Sequence, residues 1–344
     1  MACLAAAELI IRLVFPQAVT GFSARLFTVG ERGLAFLRPH ATGTHLSREF
    51  FTHIRANAQG YRDDEWTAPT FGKSKVLFLG DSFVFGWGVE QDQSFVSRLE
   101  AEGRWSLYNA GIPGDGFRQY EARAELHIPQ LKPDLVVLCT YANDFTDLLY
   151  QELAEAKTVG ILYRLKNAIG SLHLYRLGYR LLRQSKVFFW LAGNAGRKSK
   201  FIDELQLYAK QDGLLDRVWP AARDVLLKIK ALCDSQNARL VIVCVTPSYI
   251  ADRMIRSQLL NLTGMESKNL DFRMPIQQLE TFCREIGVSF VDPTARLQAE
   301  QAAGKNIYFP FDQHLNSEGH RVMAEVLAQV LLGETQPGRE VIEK

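Results

Sequence analysis

The sequence predicts an α/β protein, a three-layer α/β/α sandwich around a five-stranded parallel sheet. Two patterns predict it. Five short Val/Leu/Ile-rich runs lie at 75–80, 105–109, 134–140, 239–245 and 287–291. They lack strict alternation of apolar and polar residues, as strands buried on both faces do. Helical patterns at 92–102, 117–127, 218–236 and 274–286 lie between them, with a last helix at about 317–332. Parallel neighbours need crossovers of that length. At 344 residues the chain is long enough for one such domain with additions.

The first run, Val76-Leu77-Phe78-Leu79, stops abruptly at Gly80-Asp81-Ser82. A turn there displays a serine at the carboxyl end of a strand, where open α/β sheets bind ligands. Read alone, a serine in such a turn is more often a helix N-cap than a nucleophile. The second run leads into Asn109-Ala110-Gly111-Ile112-Pro113-Gly114, whose glycines let backbone N–H groups approach a substrate. The third ends in Tyr141-Ala142-Asn143-Asp144. An Asn amide can donate to a developing oxyanion, and it can equally cap the helix that follows.

The segment from Phe145 to Arg217 is too long for a simple crossover and predicts a helical insertion, 146–217. Between Ala156 and Ile202 it holds ten Lys/Arg and no Asp/Glu. Arg176, Arg180 and Arg183 share one helix stripe, and Leu174, Leu177 and Leu181 another. With Val187 to Leu191 following, 157–200 reads as a surface for an anionic membrane or polymer, or as a solvated helix on the core.

Near the far end, Asp312-Gln313-His314-Leu315-Asn316 precedes the apolar-periodic run Val322–Leu332. Asn316 is the expected N-cap, which leaves His314 in the loop before the helix, with Asp312 two residues upstream. An aliphatic hydroxyl needs an adjacent base, itself held by a third group. Ser82, His314 and Asp312 supply these roles. His320 is expected to pack or cap.

Taken in order, Gly-Asp-Ser-Phe, Asn-x-Gly-x-x-Gly, Asn-Asp and Asp-x-His-x-Asn-x-x-Gly-His resemble the SGNH (GDSL-type) hydrolase superfamily over about Lys75 to Leu332. The resemblance implies strand order 2-1-3-4-5. It also implies Ser82 as nucleophile, His314 as base, Asp312 as its orienter, and an oxyanion hole of Ser82 N–H, Gly114 N–H and the Asn143 amide. Two blocks depart from the usual pattern. Tyr141 stands where the third block has glycine, and Asp-x-His is one residue shorter than Asp-x-x-His. The shorter form is similar to that of membrane-associated and polysaccharide-modifying branches. Asn57-Ala58-Gln59-Gly60-Tyr61-Arg62 is similar to a motif preceding the first strand in one bacterial branch. From the residues alone it reads as a turn through Gly60 with Arg62 paired to a carboxylate.

Leu4 to Phe15 reads as an apolar helix with Glu8 and Arg12 at i, i+4, too short and charged for a span of about 20 apolar residues. No signal-peptide pattern accompanies it. The resemblance makes it the end of a membrane anchor; the alternative is an amphipathic helix on the domain or membrane surface. The organisation expected is therefore 1–70 as an N-terminal extension, 71–335 as the hydrolase domain and 336–344 as a polar tail.

Forty basic and thirty-eight acidic residues nearly cancel, so charge implies no nucleic-acid partner. The five cysteines, at 3, 139, 233, 244 and 283, form no Cys-x-x-Cys pair and are read as non-catalytic. The histidines show no metal-ligand spacing, and no P-loop or Gly-x-Ser-x-Gly elbow occurs, so no metal or cofactor is expected.

The expectation is a serine esterase acting on O-acetylated carbohydrate or cell-envelope polysaccharide, membrane-associated through 1–15 and 157–200. The alternatives are a lipid or lysophospholipid esterase, a sugar O-acyltransferase, and a catalytically silent binding protein on the same fold. An esterase of this kind loses activity as pH falls and the base protonates.

Overall fold

The computed structural model describes residues 2–14, 26–47, 49–67, 72–154, 174, 177, 201–211 and 213–335. Within 157–200 only Leu174 and Leu177, of the expected leucine stripe, are described; the basic stripe and aromatic run lie outside the described residues.

Five strands form one sheet: β5 (Ser74–Leu79), β6 (Trp105–Asn109), β7 (Leu135–Thr140), β8 (Arg239–Cys244) and β9 (Ser289–Val291). Their order is β6-β5-β7-β8-β9 and every pairing is parallel, which is the 2-1-3-4-5 arrangement. The pleat sends alternate residues into two cores. Leu77, Leu79, Val136, Leu138, Leu240 and Ile242 face helices α4 (Phe117–Leu131), α6 (Leu214–Ser235) and α9 (Met274–Glu285). Val76, Phe78, Val137, Val241 and Val243 face α3 (Phe95–Ala101) and α11 (Ser317–Thr335). Burying each such side chain contributes about 1.5–3 kcal/mol, so apolar residues on both faces of a strand specify a middle layer. Helices α5 (Ala142–Ala154), α7 (Ser248–Ala251), α8 (Arg253–Thr263) and α10 (Thr294–Ala302) complete the set.

Ahead of the sheet, two antiparallel hairpins pair β1 (Phe27–Val29) with β2 (Ala35–Leu37) and β3 (Thr42–Leu46) with β4 (Phe51–Arg55). Leu26, Leu37, Ile54 and Ala56 make a small core with Phe85, just after Ser82. The sequence reading missed these strands. In β4 the outward Phe51 and the inward Thr52 blur the alternation that would have marked it.

Helix α1 (Ala2–Val14) forms as expected, with Arg12 donating to Glu8 at 3.1 Å and Leu9, Leu13 and Val14 exposed. Among the described residues no helix is long and apolar enough to cross a membrane.

Candidate active site

Strand β5 ends at Gly80, and the chain turns into the short helix α2 (Ser82–Phe85). Asp81 takes the cap: its Oδ1 accepts the Phe83 amide at 2.9 Å. Ser82 is therefore freed of the capping role and points its hydroxyl elsewhere. Asp81 is buried, and burial raises its pKa above the usual carboxylate value.

That hydroxyl meets His314. Ser82 Oγ lies 2.8 Å from His314 Nε2, and His314 Nδ1 lies 2.5 Å from Asp312 Oδ1. An ionised carboxylate only accepts, so Nδ1 carries the proton and Nε2 faces the serine as an acceptor. The imidazole lies between two rings, Phe83 at 4.8 Å and Trp87 at 5.4 Å, the latter stacked. Trp87 Nε1 also donates to Asp312 Oδ2 at 3.3 Å. Burial alone would push Asp312 up, but hydrogen bonding and charge from His314, with help from Trp87, hold it below its usual value.

Asn316 caps α11, its Oδ1 accepting the Glu318 and Gly319 amides at 3.0 and 3.1 Å. The compressed Asp-x-His spacing has a visible cost. Gln313, between the two, sits at φ +70°. A side chain in that left-handed region costs about 1–2 kcal/mol, so surrounding contacts must hold the loop. One of them is Glu49, whose carboxylate accepts the Phe311 amide at 3.0 Å and the Asp312 amide at 2.6 Å.

Ser82, Gly114, Asn143 and His314 line one cavity of about 250 Å³, with Tyr141 and Phe201 in its wall. Gly114 has φ +86°, which is what requires glycine there. Asn143 Nδ2 donates to Asp147 Oδ2 at a long 3.4 Å, and its Oδ1 is buried without a partner among the described residues. The cap of α5 falls to Asp144, whose Oδ2 accepts the Tyr141 amide at 2.8 Å. The Tyr141 ring packs 4.6 Å from Phe83. Burial, then the nearby Glu204 carboxylate, pushes its phenol well above the usual value, so it stays neutral. A separate open groove of about 680 Å³ is walled by pairs such as His53–Glu90 and Arg55–Asp64.

The Asn57–Asp63 segment braces these loops. Asn57 Oδ1 accepts the Tyr61 amide at 2.9 Å across a turn at Gly60, where φ is +82° and a Cβ would lie 2.5 Å from Leu37 O. The expected Arg62–carboxylate pair is not what forms. The guanidinium is buried and donates to the carbonyls of Gly86 at 2.5 Å, Val89 at 2.7 Å and His53 at 2.9 Å, with a longer contact to Phe85 O at 3.5 Å. Trp87 lies between the first two. Burial lowers the Arg62 pKa to about 10, leaving it charged at neutral pH. Asp63 Oδ2 accepts the Asn109 amide at 2.8 Å at the end of β6. Tyr61 hydroxyl accepts from Arg123 at 2.8 Å and lies 2.6 Å from His127 Nε2. Arginine has no acceptor, so the phenolic proton goes to His127. Arg123 also pairs with Asp115, beside Gly114.

His320, expected to pack or cap, does both: it is buried, and its Nδ1 accepts the Phe95 amide at 3.2 Å at the start of α3. Cys139, Cys233, Cys244 and Cys283 are buried free thiols. Sequence reasoning gave no role to Glu49, Asp81, Phe83 or Trp87, although Asp81 and Phe83 stand in the Gly-Asp-Ser-Phe block and Trp87 lies between two glycines.

A sequence model of the GDSL-like lipase/acylhydrolase family matches residues 78–322, from β5 into α11. The chain belongs to that family. This GDSL-like protein is an enzyme, a hydrolase of ester bonds. Similar solved structures include that of TesA, at 14% identity and TM-score 0.40, covering 76% of this chain and 99% of that one. An acetyl xylan esterase, AlAXEase, is 14% identical at TM-score 0.40 and covers 75% and 99%. A GDSL-like lipase from Bacteroides thetaiotaomicron VPI-5482 is 13% identical at TM-score 0.38 and covers 78% and 92%. A comparison with curated proteins finds no match.

Proposed function

We propose that this GDSL-family hydrolase is a serine esterase that removes short acyl groups, acetyl first, from a carbohydrate or cell-envelope polysaccharide. The observation that carries the reading is the hydrogen-bonded chain Ser82–His314–Asp312, at 2.8 and 2.5 Å. Ser82 Oγ attacks the ester carbonyl as its proton passes to His314 Nε2. Asp312 stabilises the imidazolium. The tetrahedral oxyanion takes hydrogen bonds from Ser82 N–H, Gly114 N–H and the Asn143 side chain. Collapse breaks the ester C–O bond, and His314 returns its proton to the leaving alcohol. Water, deprotonated by His314, then releases the acyl group and regenerates Ser82. The unpartnered, buried Asn143 side-chain oxygen supports a swing of that amide on substrate binding. Catalytic hydrogen bonds often tighten only in the complex.

Cavity size supports the short acyl group. About 250 Å³ falls below the roughly 300–1,000 Å³ of pockets that enclose drug-sized ligands. Tyr141 and Phe201 give it an aromatic wall suited to a small apolar acyl group. In this reading residues 1–15 rest on a membrane surface, supported by the exposed Leu9, Leu13 and Val14 of α1.

The test is a screen of acetyl, butyryl and long-chain esters and acetylated oligosaccharides, with fluorophosphonate labelling of wild type and Ser82→Ala. Labelling at Ser82 and fastest turnover of acetyl esters are expected. Folded protein that neither labels nor turns over short esters is a binder instead. Preference for long-chain esters moves the substrate to lipid, and acyl transfer to a sugar faster than to water makes it a transferase.

A further inference from the structure

We infer that Glu49 is a positioning residue for the Asp312–His314 arm. The inference rests on the proposed roles of those two residues but is tested apart from them.

Glu49 lies in the connection between β3 and β4, outside the 78–322 family match. Its two carboxylate oxygens divide between two successive backbone amides: Oε1 accepts Phe311 N–H at 3.0 Å, and Oε2 accepts Asp312 N–H at 2.6 Å. Hydrogen bonds to an ionised acceptor are roughly twice as strong as neutral ones. A bidentate pair on consecutive amides fixes orientation as well as distance. Glu49 is itself set by Ser47, whose Oγ accepts the Glu49 amide at 3.0 Å and the Phe50 amide at 3.2 Å.

The loop it grips needs an outside hold. Asp-x-His leaves one residue, Gln313, to reverse the chain, and it does so at φ +70°. Backbone bonds from Gln313 N–H to Phe309 O and from Phe309 N–H to His314 O close the turn, and Glu49 holds the two amides between them, so its loss lets Asp312 Oδ1 move away from His314 Nδ1. The same hairpin adds a second wall: His45 packs 4.2 Å from Trp87, and Phe50 packs 5.0 Å from Phe309. The shortened motif and the added hairpin thus form one device. Glu49 adds, from outside the family's segment, a grip on the Phe311 and Asp312 amides to the support the loop receives within it from Trp87, Ser248 and the Phe309–His314 backbone bonds.

The test compares Glu49→Gln and Glu49→Ala with wild type in the full chain. Thermal unfolding checks that each folds. Three readouts follow: kcat and KM on a short acyl ester, the pH dependence of kcat/KM, and the downfield proton resonance of His314 Nδ1–H with ¹⁵N-labelled histidine. That resonance reports the Asp312 contact whether or not Ser82 turns over. Misplacement of a catalytic group by about 1 Å costs up to roughly 100-fold. Glu49→Ala is therefore expected to lower kcat about 10- to 100-fold with KM little changed. Glu49→Gln, with one acceptor left, should fall between. In Glu49→Ala the acid limb of kcat/KM should move down by about one pH unit as the imidazolium loses its anion, and the downfield resonance should broaden or move upfield. A folded Glu49→Ala protein with wild-type kcat, acid limb and resonance overturns the inference while leaving the esterase reading intact. If wild type turns over no ester, the resonance alone decides: unchanged in both variants, it ends the inference; lost in Glu49→Ala, it upholds it.

Discussion

Ser82 and His314 stand 2.8 Å apart, yet the segments that carry them are held in opposite ways. The serine turn is gripped by its own residues and by the end of the adjacent strand, 32 positions on. Asp81 caps α2, Gly86 closes it in the left-handed region, and the Ala110 and Ile112 amides reach the carbonyls of Phe78 and Gly80. The histidine loop closes on its own Phe309–His314 backbone bonds, but its amides and carboxylate are gripped by residues more than 200 positions away, Glu49 and Trp87. One arm is set when its strand forms. The other is completed only when the amino-terminal hairpin, the serine turn and the last loop come together.

The sharpest way to break this comparison is at the chemistry itself. Ser82→Ala should lose three or more decades in kcat on a short ester while unfolding at nearly the wild-type temperature. A residual rate within tenfold of wild type removes Ser82 from the mechanism. Asp312→Asn keeps the shape but spoils the acceptor for Nδ1–H, and a loss of about two to four decades is expected, again in kcat. If Asp312→Asn costs less than about tenfold, the histidine arm does not depend on its carboxylate.

Arg62→Met probes the point where both arms are tied to the hairpin. It leaves the carbonyls of Gly86, Val89 and His53 without their donor, and an unsatisfied buried acceptor costs about 1–3 kcal/mol. A loss of roughly 2–4 kcal/mol by denaturant titration is expected. Stability within about 0.5 kcal/mol of wild type denies the clamp.

Acid sharpens the comparison with the smallest effect. His45, His127 and His320 are buried, and burial lowers them to about 4, 3 and 3. The unfolded chain takes up their protons near pH 6.5, and the folded chain refuses them until much lower. Their contribution to stability is thus whole above about pH 6.5 and falls away as pH drops toward 4. His45 packs 4.2 Å from Trp87, beside the histidine arm, so protonating it should loosen that arm before the sheet. Hydrogen exchange at pH 7 and pH 4.5 reads this: amides of 309–314 should lose protection ahead of those in β7. Equal loss in both regions contradicts it.

Legibility in the sequence followed the same divide. The five sheet strands and their covering helices were readable because apolar periodicity is local. The triad candidates were readable because each ends a strand or precedes a capped helix. Glu49 and Arg62 were not, because their partners are backbone amides and carbonyls, which every residue carries and no sequence distinguishes. The carboxylate expected for Arg62 was the natural guess from side-chain chemistry alone. The hairpins of 27–55 hid behind inward Thr52 and outward Phe51, and α10 lacked a strong periodic signal. Tyr141 was visible as a departure from glycine, but its place against Phe83 was not.

The clamp of Arg62 also bears on how this polypeptide can be shortened. A recombinant fragment trimmed to the catalytic family's own boundaries would keep every side chain of the proposed triad. It would also strip the guanidinium from Gly86 and Val89, the carboxylate from Asn109 and the acceptor from Asp312. Such a fragment would carry all the reactive groups without the brace that aligns them.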